Sequence, residues 1–159
     1  MTNETVLSDV ALREVTTENL EAVLALEVSE SQRSFVSSNA KSIAQAHFFN
    51  PEAWFRAIYA GDAPVGFLML HDESLRPEPR QRGYYFLWRL MIDKQYQGRG
   101  IGRRAVELLV DHVRTRPDAR ELFTSCHLGQ GSPEAFYLML GFVRTGREVD
   151  GETELKLSL

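Results

Sequence analysis

The chain has 159 residues, of which 43% are hydrophobic, and this is enough for a single domain over residues 1–159 with a substantial core. Its net charge of −4 and its pI of about 5.6 argue against a nucleic-acid partner and are neutral about small ligands. The sequence has no apolar run of membrane-spanning length and no signal-peptide pattern. We therefore expect a protein that does not contact membranes and is located in the cytoplasm.

The first half of the chain is a polar lead-in over residues 1–9, followed by alternating predicted strands and helices. Capping residues before Leu20 predict a first helix, and Pro51 ends a second helical region. Residues 60–64 read as a hairpin loop, and the polar stretch 71–82 is predicted to be an exposed loop. In chain order the pattern predicts a strand at 10–15, helices from Leu20 and over 32–48 with a bend near 37–39, and strands at 54–59 and 65–70.

The centre of the chain is a strand, a glycine-rich loop and a helix in immediate succession. Residues 84–92 form a nearly continuous apolar and aromatic run, which is typical of a strand buried on both faces. Glycines follow at every second position, as Gly98, Gly100 and Gly102. The next residues predict an amphipathic helix, whose apolar stripe consists of Ile101, Ala105, Leu108, Leu109 and Val113.

The last third of the chain predicts a strand, a short helix and a hairpin. Glu121–Cys126 reads as a strand, and Ser132 before Pro133 suits the start of a helix over 134–140. Residues 142–149 and 152–157 alternate in a strand-like way around Asp150 and Gly151, which are a two-residue hairpin signal. The predicted order is β-α-α-β-β-β-α-β-α-β-β, an α/β domain with a mixed sheet.

A glycine-rich turn between a strand and a helix is a site for an anion. The N–H groups of the first helical turn are free and the helix dipole adds partial positive charge, while missing side chains let a phosphate approach the backbone. A Walker loop ends in Gly-Lys-Ser/Thr, whereas this loop ends in Gly102-Arg103-Arg104. A Rossmann fingerprint counted from Gly98 needs a glycine at position 103, which is arginine.

Gln97-x-x-Gly100-x-Gly102 instead resembles the Gln/Arg-x-x-Gly-x-Gly/Ala signature of the GNAT superfamily of N-acetyltransferases. The resemblance extends over nearly the whole chain and implies a mixed, mostly antiparallel central sheet flanked by helices. In that family the loop holds the pyrophosphate of acetyl-coenzyme A, and the splayed end of the central strand pairs with its pantetheine arm. The resemblance therefore implies these cofactor-binding residues: Leu90, Met91, Ile92, Gln97, Gly98, Arg99, Gly100, Ile101, Gly102 and Arg103.

Acetyl transfer from a thioester to an amine needs a neutral amine, donors for the developing oxyanion and a proton donor for the leaving thiolate. Residues 135–142 resemble the family's late helix, Phe/Leu-Tyr-x-x-x-Gly-Phe, whose tyrosine acts as the general acid. The resemblance implies that Tyr137 is catalytic, although a tyrosine on a short helix is often a packing residue. The asparagine that many relatives place just before this tyrosine is absent, and Ser132 is only a weak substitute.

The general base is left open by the sequence. No glutamate lies within residues 84–92 to serve as an obvious base. A water chain, a carboxylate elsewhere in the chain, or capture of an amine that is already neutral each remains compatible with the residues.

The acceptor side resembles one branch of the family. Residues 28–42 and 85–93 are similar to the corresponding stretches of the diamine/spermidine acetyltransferases. A polyamine site needs carboxylates beside aromatic faces, and the alternative for any single glutamate is a solvated surface position. The candidate acceptor-binding residues are Glu27, Glu30 and Phe35, with Trp88 or Trp54 as a ring wall; Arg76, Arg80 and Arg82 would repel a polycation if their loop covered the site.

The sequence thus predicts an acetyl-coenzyme A-dependent N-acetyltransferase for a small primary amine, with a di- or polyamine preferred. An aminoglycoside, an amino acid or a protein N-terminus is the alternative acceptor, and a non-catalytic acyl-coenzyme A-binding module is the rival of another class. The single cysteine, Cys126, is predicted to be a buried structural thiol. The four histidines lack ligand-like spacing, so no metal site is expected. A homodimer is left open.

Overall fold

The computed structural model describes residues 7–159, so most of the predicted lead-in over residues 1–9 lies outside the described part of the chain. Single turns of 3-10 helix lie at Glu30–Gln32 and Glu73–Leu75. The strands and helices, in chain order, are β1 (Val10–Arg13), α1 (Leu20–Leu24), α2 (Asn39–Phe48), β2 (Ala53–Ala60), β3 (Ala63–Asp72), β4 (Tyr85–Ile92), α3 (Ile101–Arg114), β5 (Glu121–Cys126), α4 (Glu134–Met139), β6 (Val143–Val149) and β7 (Glu152–Ser158).

This order of elements confirms the predicted β-α-α-β-β-β-α-β-α-β-β arrangement. Within the described residues, the strands form one seven-stranded sheet in the order β1-β2-β3-β4-β5-β7-β6. Every neighbouring pair is antiparallel except β4 and β5, which run parallel. The prediction of a mixed and mostly antiparallel sheet is therefore confirmed, and the single parallel pair lies in the middle of the sheet.

Each face of the sheet buries its own apolar cluster. Alternate side chains of β3 point to opposite faces, so that Leu68 packs with the face covered by α3, and Phe67 with the face covered by α1 and α2. Helix α3 presents the predicted stripe to the sheet, with Ala105 and Leu109 fully buried. No helix within residues 7–159 is long and apolar enough to cross a membrane.

Two element boundaries differ from the sequence prediction for local reasons. The helix predicted over 32–48 begins only at Asn39, because Ser38 has an extended backbone and its hydroxyl accepts a hydrogen bond from the Lys41 N–H. The loop predicted over 60–64 shrinks to a two-residue turn, Gly61 and Asp62, because β2 and β3 pair up to Ala60 and Ala63. The earlier part of the predicted second helix, residues 33–38, consists of turns and coil after the isolated 3-10 turn.

The loop between β3 and β4 is fixed by buried ion pairs at the end of the sheet remote from the glycine loop. Asp72 is fully buried and accepts a hydrogen bond from the Arg116 Nε at 2.9 Å. Arg76 pairs with the buried Glu52 at 2.9 Å, and Glu73 is also buried. Arg76, Arg80 and Arg82 do not line the cavity described below, so this loop does not cover the predicted acceptor side; Arg76 is held instead at the opposite end of the sheet.

Candidate active site

The parallel strands β4 and β5 separate soon after they begin to pair. Only Phe86 with Phe123 and Leu87 with Thr124 are partners, so β4 continues to Ile92 without β5 beside it. The Thr124 hydroxyl donates a hydrogen bond to the Leu87 carbonyl at 2.9 Å, at the point of separation. Trp88 is the extra residue of a bulge in the pairing of β4 with β3. The sheet therefore has a fork where the family resemblance predicts the splay.

The glycine loop opens helix α3 beside this fork. Gly100 is the N-cap residue of α3 and has a φ of +80°, and Gly98 has a φ of +76°. A Cβ at Gly98 would have no atom within 4 Å, so the space above that residue is open. The N–H groups of Ile101 and Gly102 have no partner within the helix because they belong to its first turn. Open backbone and free N–H groups fit the pyrophosphate of coenzyme A.

The side chains of Gln97 and Arg99, beside this loop, form hydrogen bonds within the protein. The Gln97 amide donates to the Ile92 carbonyl at 2.9 Å and to the Gln32 side-chain oxygen at 2.8 Å. Gln97 thereby links the end of β4 to the 3-10 turn before α2, an arrangement we call the amide bridge. Arg99 is exposed and its guanidinium donates to the Gln95 carbonyl, outside the wall of the cavity described next.

A cavity of about 1130 Å³ runs from the glycine loop through the fork to the segment around α2. This volume is slightly above the usual range for small-molecule sites, about 300–1,000 Å³. Its wall includes the end of β4, the glycine loop, the end of β5, α4 and the turn between β6 and β7. Of the predicted coenzyme-binding residues, all but Arg99 line it, as Leu90, Met91, Ile92, Gln97, Gly98, Gly100, Ile101, Gly102 and Arg103.

Tyr137 lies on α4 and reaches the fork from the side of the sheet that α3 covers. Its backbone N–H bonds to the Pro133 carbonyl, and its ring packs against Phe136 and Phe142. Only 5% of the residue is exposed, yet it forms part of the cavity wall. Burial raises the pKa of the Tyr137 phenol, while a hydrogen bond with Thr124 acts in the opposite direction. The phenol is therefore a proton donor at neutral pH, located at the point where the strands separate.

The predicted acceptor-binding residues divide into two groups. Phe35 and Trp88 line the cavity, and the Trp88 ring is held edge-on by Phe49 at 5.2 Å. Glu27 and Glu30 lie outside its wall. The Glu27 carboxylate is on the surface, where it pairs with Lys94 at 3.3 Å, and Glu30 is exposed in its 3-10 turn.

Trp54, the other predicted ring wall, does not reach the cavity either. Its indole stacks on the His112 ring at 4.1 Å between centroids, against helix α3. The Arg56 guanidinium lies over the other side of the indole. Trp54 is thus part of the packing between β2 and α3.

Two acids and several cations line the cavity, and neither acid is among the site residues that the sequence predicts. Asp150 and Glu152 reach it from the hairpin between β6 and β7. Opposite them, on the side of α2 and β4, the wall contains Arg33, Lys41 and Arg89. The hairpin signal at residues 150 and 151 was visible in the sequence, but the position of β7 beside β5 was not.

Arg89 is the most constrained of these cations. Its guanidinium donates to the Gln45 side-chain oxygen at 2.9 Å and to the Ser37 hydroxyl at 3.3 Å. Its buried Nε has no partner among the described residues. Burial lowers the pKa of the Arg89 guanidinium, and the charge of Glu152 opposes that shift. Arg89 and Glu152, which both line the cavity, therefore attract each other electrostatically.

Cys126 and the histidines add no nucleophile or metal centre to this picture. Cys126 is buried, and burial raises the pKa of its thiol, which fits the predicted structural role. Among residues 7–159, no group of three or more His, Cys, Asp or Glu side chains could hold a metal ion.

Comparisons with known proteins agree with this geometry. The model of the acetyltransferase (GNAT) family matches residues 17–142. Two Bacillus subtilis proteins match over 145 residues, 89% of this chain and 93% of each relative. "Probable spermine N(1)-acetyltransferase" of subspecies natto is 29% identical, and "Spermine/spermidine N(1)-acetyltransferase" of strain 168 is 28% identical. The structure of spermidine N-acetyltransferase from Vibrio cholerae in complex with CoA and spermine has a TM-score of 0.70 at 15% identity, covering 95% of this chain and 96% of that one.

Proposed function

Since this chain belongs to the acetyltransferase (GNAT) family and so uses acetyl-coenzyme A, we propose that it acetylates a small primary amine, with a di- or polyamine preferred. The observation that carries the proposal is the position of Tyr137, a buried phenol that lines the same cavity as the glycine loop. Coenzyme site and proton donor thus share one cavity with room for a small acceptor. A non-catalytic acyl-coenzyme A-binding module does not require such a donor.

In this proposal each part of the wall has one task. Bound acetyl-coenzyme A supplies the acetyl group as an activated thioester. Gly98, Gly100 and the first turn of α3 hold its pyrophosphate, with Arg103 as the nearby cation. The unpaired end of β4, at Leu90–Ile92, offers backbone groups to the pantetheine arm and one N–H to the thioester carbonyl. Tyr137 gives its proton to the departing thiolate.

A cationic polyamine is supported by two observations. Both curated relatives are named as spermine or spermidine acetyltransferases, and Asp150 and Glu152 supply acids on the cavity wall. Phe35 adds an aromatic face that attracts ammonium groups, whereas the Arg89 guanidinium already lies over the Trp88 ring. Glu27 and Glu30 leave this part of the proposal, because they lie outside that wall.

A second acceptor class is favoured by the opposite wall. Arg33, Lys41 and Arg89 are cations that would repel a polyamine but attract an amine that carries an anionic group, such as an amino acid. Arg89 is fixed in this wall by its hydrogen bonds to Gln45 and Ser37. Between the two walls the cavity is thus zwitterionic, and the acceptor's own charges decide which wall it uses.

Release of coenzyme A thiol from acetyl-coenzyme A with a panel of amines tests the proposal. The panel comprises putrescine, spermidine, spermine, amino acids, an aminoglycoside and a peptide with a free N-terminus. We expect the highest kcat/KM with spermidine or spermine, and a rise in the KM for these amines with ionic strength because charge pairs are screened. A preference for amino acids would instead support the second class.

The matched variants are Arg89→Gln and Glu78→Gln, an exposed acid of the loop between β3 and β4. Arg89→Gln should raise the KM only for anionic acceptors, whereas Glu78→Gln should leave every acceptor unchanged. No transfer to any amine on the panel, with coenzyme A still bound, would contradict the proposed function itself. We also propose that the protein is located in the cytoplasm and forms a homodimer. The mass of the protein in solution, measured by light scattering, tests the dimer.

A further inference from the structure

An alkylammonium ion cannot attack a thioester until it loses a proton, and its pKa of about 10 keeps it charged at neutral pH. A carboxylate at the cavity can accept that proton. Tyr137 cannot do so while it holds its own proton. Among the described residues of the cavity wall, Asp150 and Glu152 are the carboxylates.

Glu152 is the better held of the two acids. It is the first residue of β7, which pairs with the end of β5 so that Cys126 lies opposite Thr153. The Ser125 hydroxyl donates to one Glu152 carboxylate oxygen at 2.6 Å, and the His127 Nε2 lies 3.5 Å from the other. Asp150, by contrast, is an exposed turn residue with a φ of +50°. Glu152 thus has a fixed orientation at the fork, with 30% of its side chain exposed to solvent.

We infer that Glu152 is the general base, which removes a proton from the acceptor's ammonium group. This inference rests on the proposed acetyl transfer but not on which amine is the acceptor. Two protons leave the nitrogen in the whole reaction, as an ammonium group becomes an amide. The first goes to the Glu152 carboxylate and from there to solvent. The nitrogen lone pair then forms the bond to the acetyl carbon, and the C–S bond breaks with its electron pair on sulfur.

The second proton balances the reaction at the sulfur. Tyr137 gives its phenolic proton to the thiolate, and the second proton from nitrogen restores the phenol. The net products are the acetylated amine, coenzyme A thiol and one proton in solvent. Glu152 and Tyr137 line the same cavity, so the proposed base and the proposed acid can both serve one bound acceptor and thioester.

The charged and titratable groups that face Glu152 come from several elements. They are Arg89 on β4, Cys126 and His127 at the end of β5, Tyr137 on α4 and Asp150 in the β6–β7 turn. Arg89 attracts the negative charge of Glu152, and no acid other than Asp150 lies beside it on the described wall. A pH profile measured on Glu152 variants therefore needs Asp150 as its control.

The test compares Glu152→Gln with Asp150→Asn and with Glu148→Gln, an exposed acid of the same hairpin. Glutamine keeps an oxygen that can accept the Ser125 hydrogen bond, so Glu152→Gln should fold and bind coenzyme A normally. At pH 7 its kcat should fall by about 10²-fold or more, the range for loss of a general base. The loss should shrink as the pH rises towards about 10, because solvent then supplies the neutral amine.

A weakly basic acceptor gives the second measurement. A fluorinated alkylamine, which is neutral at pH 7, needs no base, so Glu152→Gln and the parent enzyme should acetylate it at similar rates. A loss in Glu152→Gln that is equal at every pH and for both amines would overturn the inference and make Glu152 a positioning residue. An unchanged kcat, or the pH-dependent loss in Asp150→Asn instead, would also overturn it. If the parent enzyme acetylates no amine, the proposed function itself is contradicted, and this result is distinct from the outcomes above, which contradict only the role of Glu152.

Discussion

At the scale of single residues, Tyr137 combines burial with access to the cavity. Its ring is held by Phe136 and Phe142, so the hydroxyl can be removed without loss of the packing around it. Burial raises the pKa of its phenol, which keeps the proton on oxygen at neutral pH. Negative charge develops on the sulfur as the C–S bond breaks, and an O–H group held at the fork can donate to it in the transition state, which is the chemical reason for placing the general acid here.

Tyr137→Phe should therefore fold and bind acetyl-coenzyme A as the parent does. If the hydroxyl protonates the thiolate, kcat should fall by about 10²–10⁴-fold, and the KM for acetyl-coenzyme A should change little. Steady-state thiol release measures both constants. An acetyl donor with a more acidic thiol is the control, because its thiolate leaves without a proton. A smaller loss of kcat with that donor indicates proton donation, whereas an equal loss indicates positioning. A kcat of Tyr137→Phe near the parent value, when the chemical step limits the rate, would make Tyr137 a packing residue.

The same substitution should change the dependence of stability on alkaline pH. Above pH of about 10 an unfolded tyrosine loses its proton, whereas the raised pKa of Tyr137 keeps the folded phenol protonated. The folded state then binds more protons, so the stabilisation that is complete below the unfolded pKa is lost as the pH rises. The parent should lose up to about 1.4 kcal/mol per pH unit more than Tyr137→Phe.

Urea unfolding of both proteins at pH 8, 9.5 and 10.5 measures that difference. Tyr84 and Tyr85 also have raised pKa values because of burial, but they are present in both proteins and cancel. Parallel pH curves for the two proteins would show that the Tyr137 phenol ionises equally easily in the folded and unfolded states.

At the scale of elements, the glycine loop joins β4 and α3 and leaves open space above Gly98. Gly98 and Gly61 form a matched pair for testing it, because both have a positive φ and neither has an atom within 4 Å of an added Cβ. Gly61 lies in the β2–β3 turn, away from the cavity wall. The two glycines differ because a phosphate group of the ligand is expected above Gly98 but not above Gly61.

Gly98→Ala and Gly61→Ala should lower the free energy of unfolding by similar amounts, about 1–2 kcal/mol each, because both force a side chain into the left-handed region. Only Gly98→Ala should weaken coenzyme A binding, since its methyl group occupies space near the pyrophosphate. Isothermal titration with coenzyme A measures the affinity, and thermal unfolding measures the stability. Equal coenzyme affinities in the two variants would move the pyrophosphate away from Gly98.

The sequence predicted the elements well where the signal is local. The strand–glycine–helix succession and the α3 stripe depend on neighbouring residues, and both are present as expected. Glu152 was missed because its place at the fork depends on β7 pairing with β5, a long-range register that no local pattern contains. Glu27 was predicted to lie on the acceptor side because a polyamine site needs carboxylates. The sequence does not show in which direction a side chain points, and Glu27 pairs with Lys94 on the surface.

At the scale of the whole molecule, the two ends of β4 have different tasks. One end opens into the fork and the cavity. The other is closed by buried ion pairs, in which the fully buried Asp72 bonds to Arg116, a residue that follows α3. This separation predicts that stability and substrate binding can be changed independently.

Arg116→Met leaves the Asp72 carboxylate buried without its cation, and breaking such a pair costs about 3–5 kcal/mol. The variant should therefore have a clearly lower Tm, while the KM for acetyl-coenzyme A of the folded protein stays at the parent value. The double variant with Asp72→Asn should recover part of the loss, because the uncompensated charge is gone. Differential scanning calorimetry and steady-state kinetics at a temperature below both transitions measure these effects; a raised KM would show that the two ends are coupled.

The amide bridge connects the two parts of the cavity wall that coenzyme and amine are expected to contact. Gln97 holds the carbonyl that ends β4 and also the Gln32 side chain on the acceptor side, so a shift of the loop around one substrate displaces the wall that the other contacts. Linkage of this kind is reciprocal: the factor by which coenzyme changes the affinity for the amine equals the factor by which the amine changes the affinity for coenzyme. We therefore expect a Gln32→Ala enzyme, which lacks one of the two side-chain amides, to bind coenzyme and amine more independently of each other.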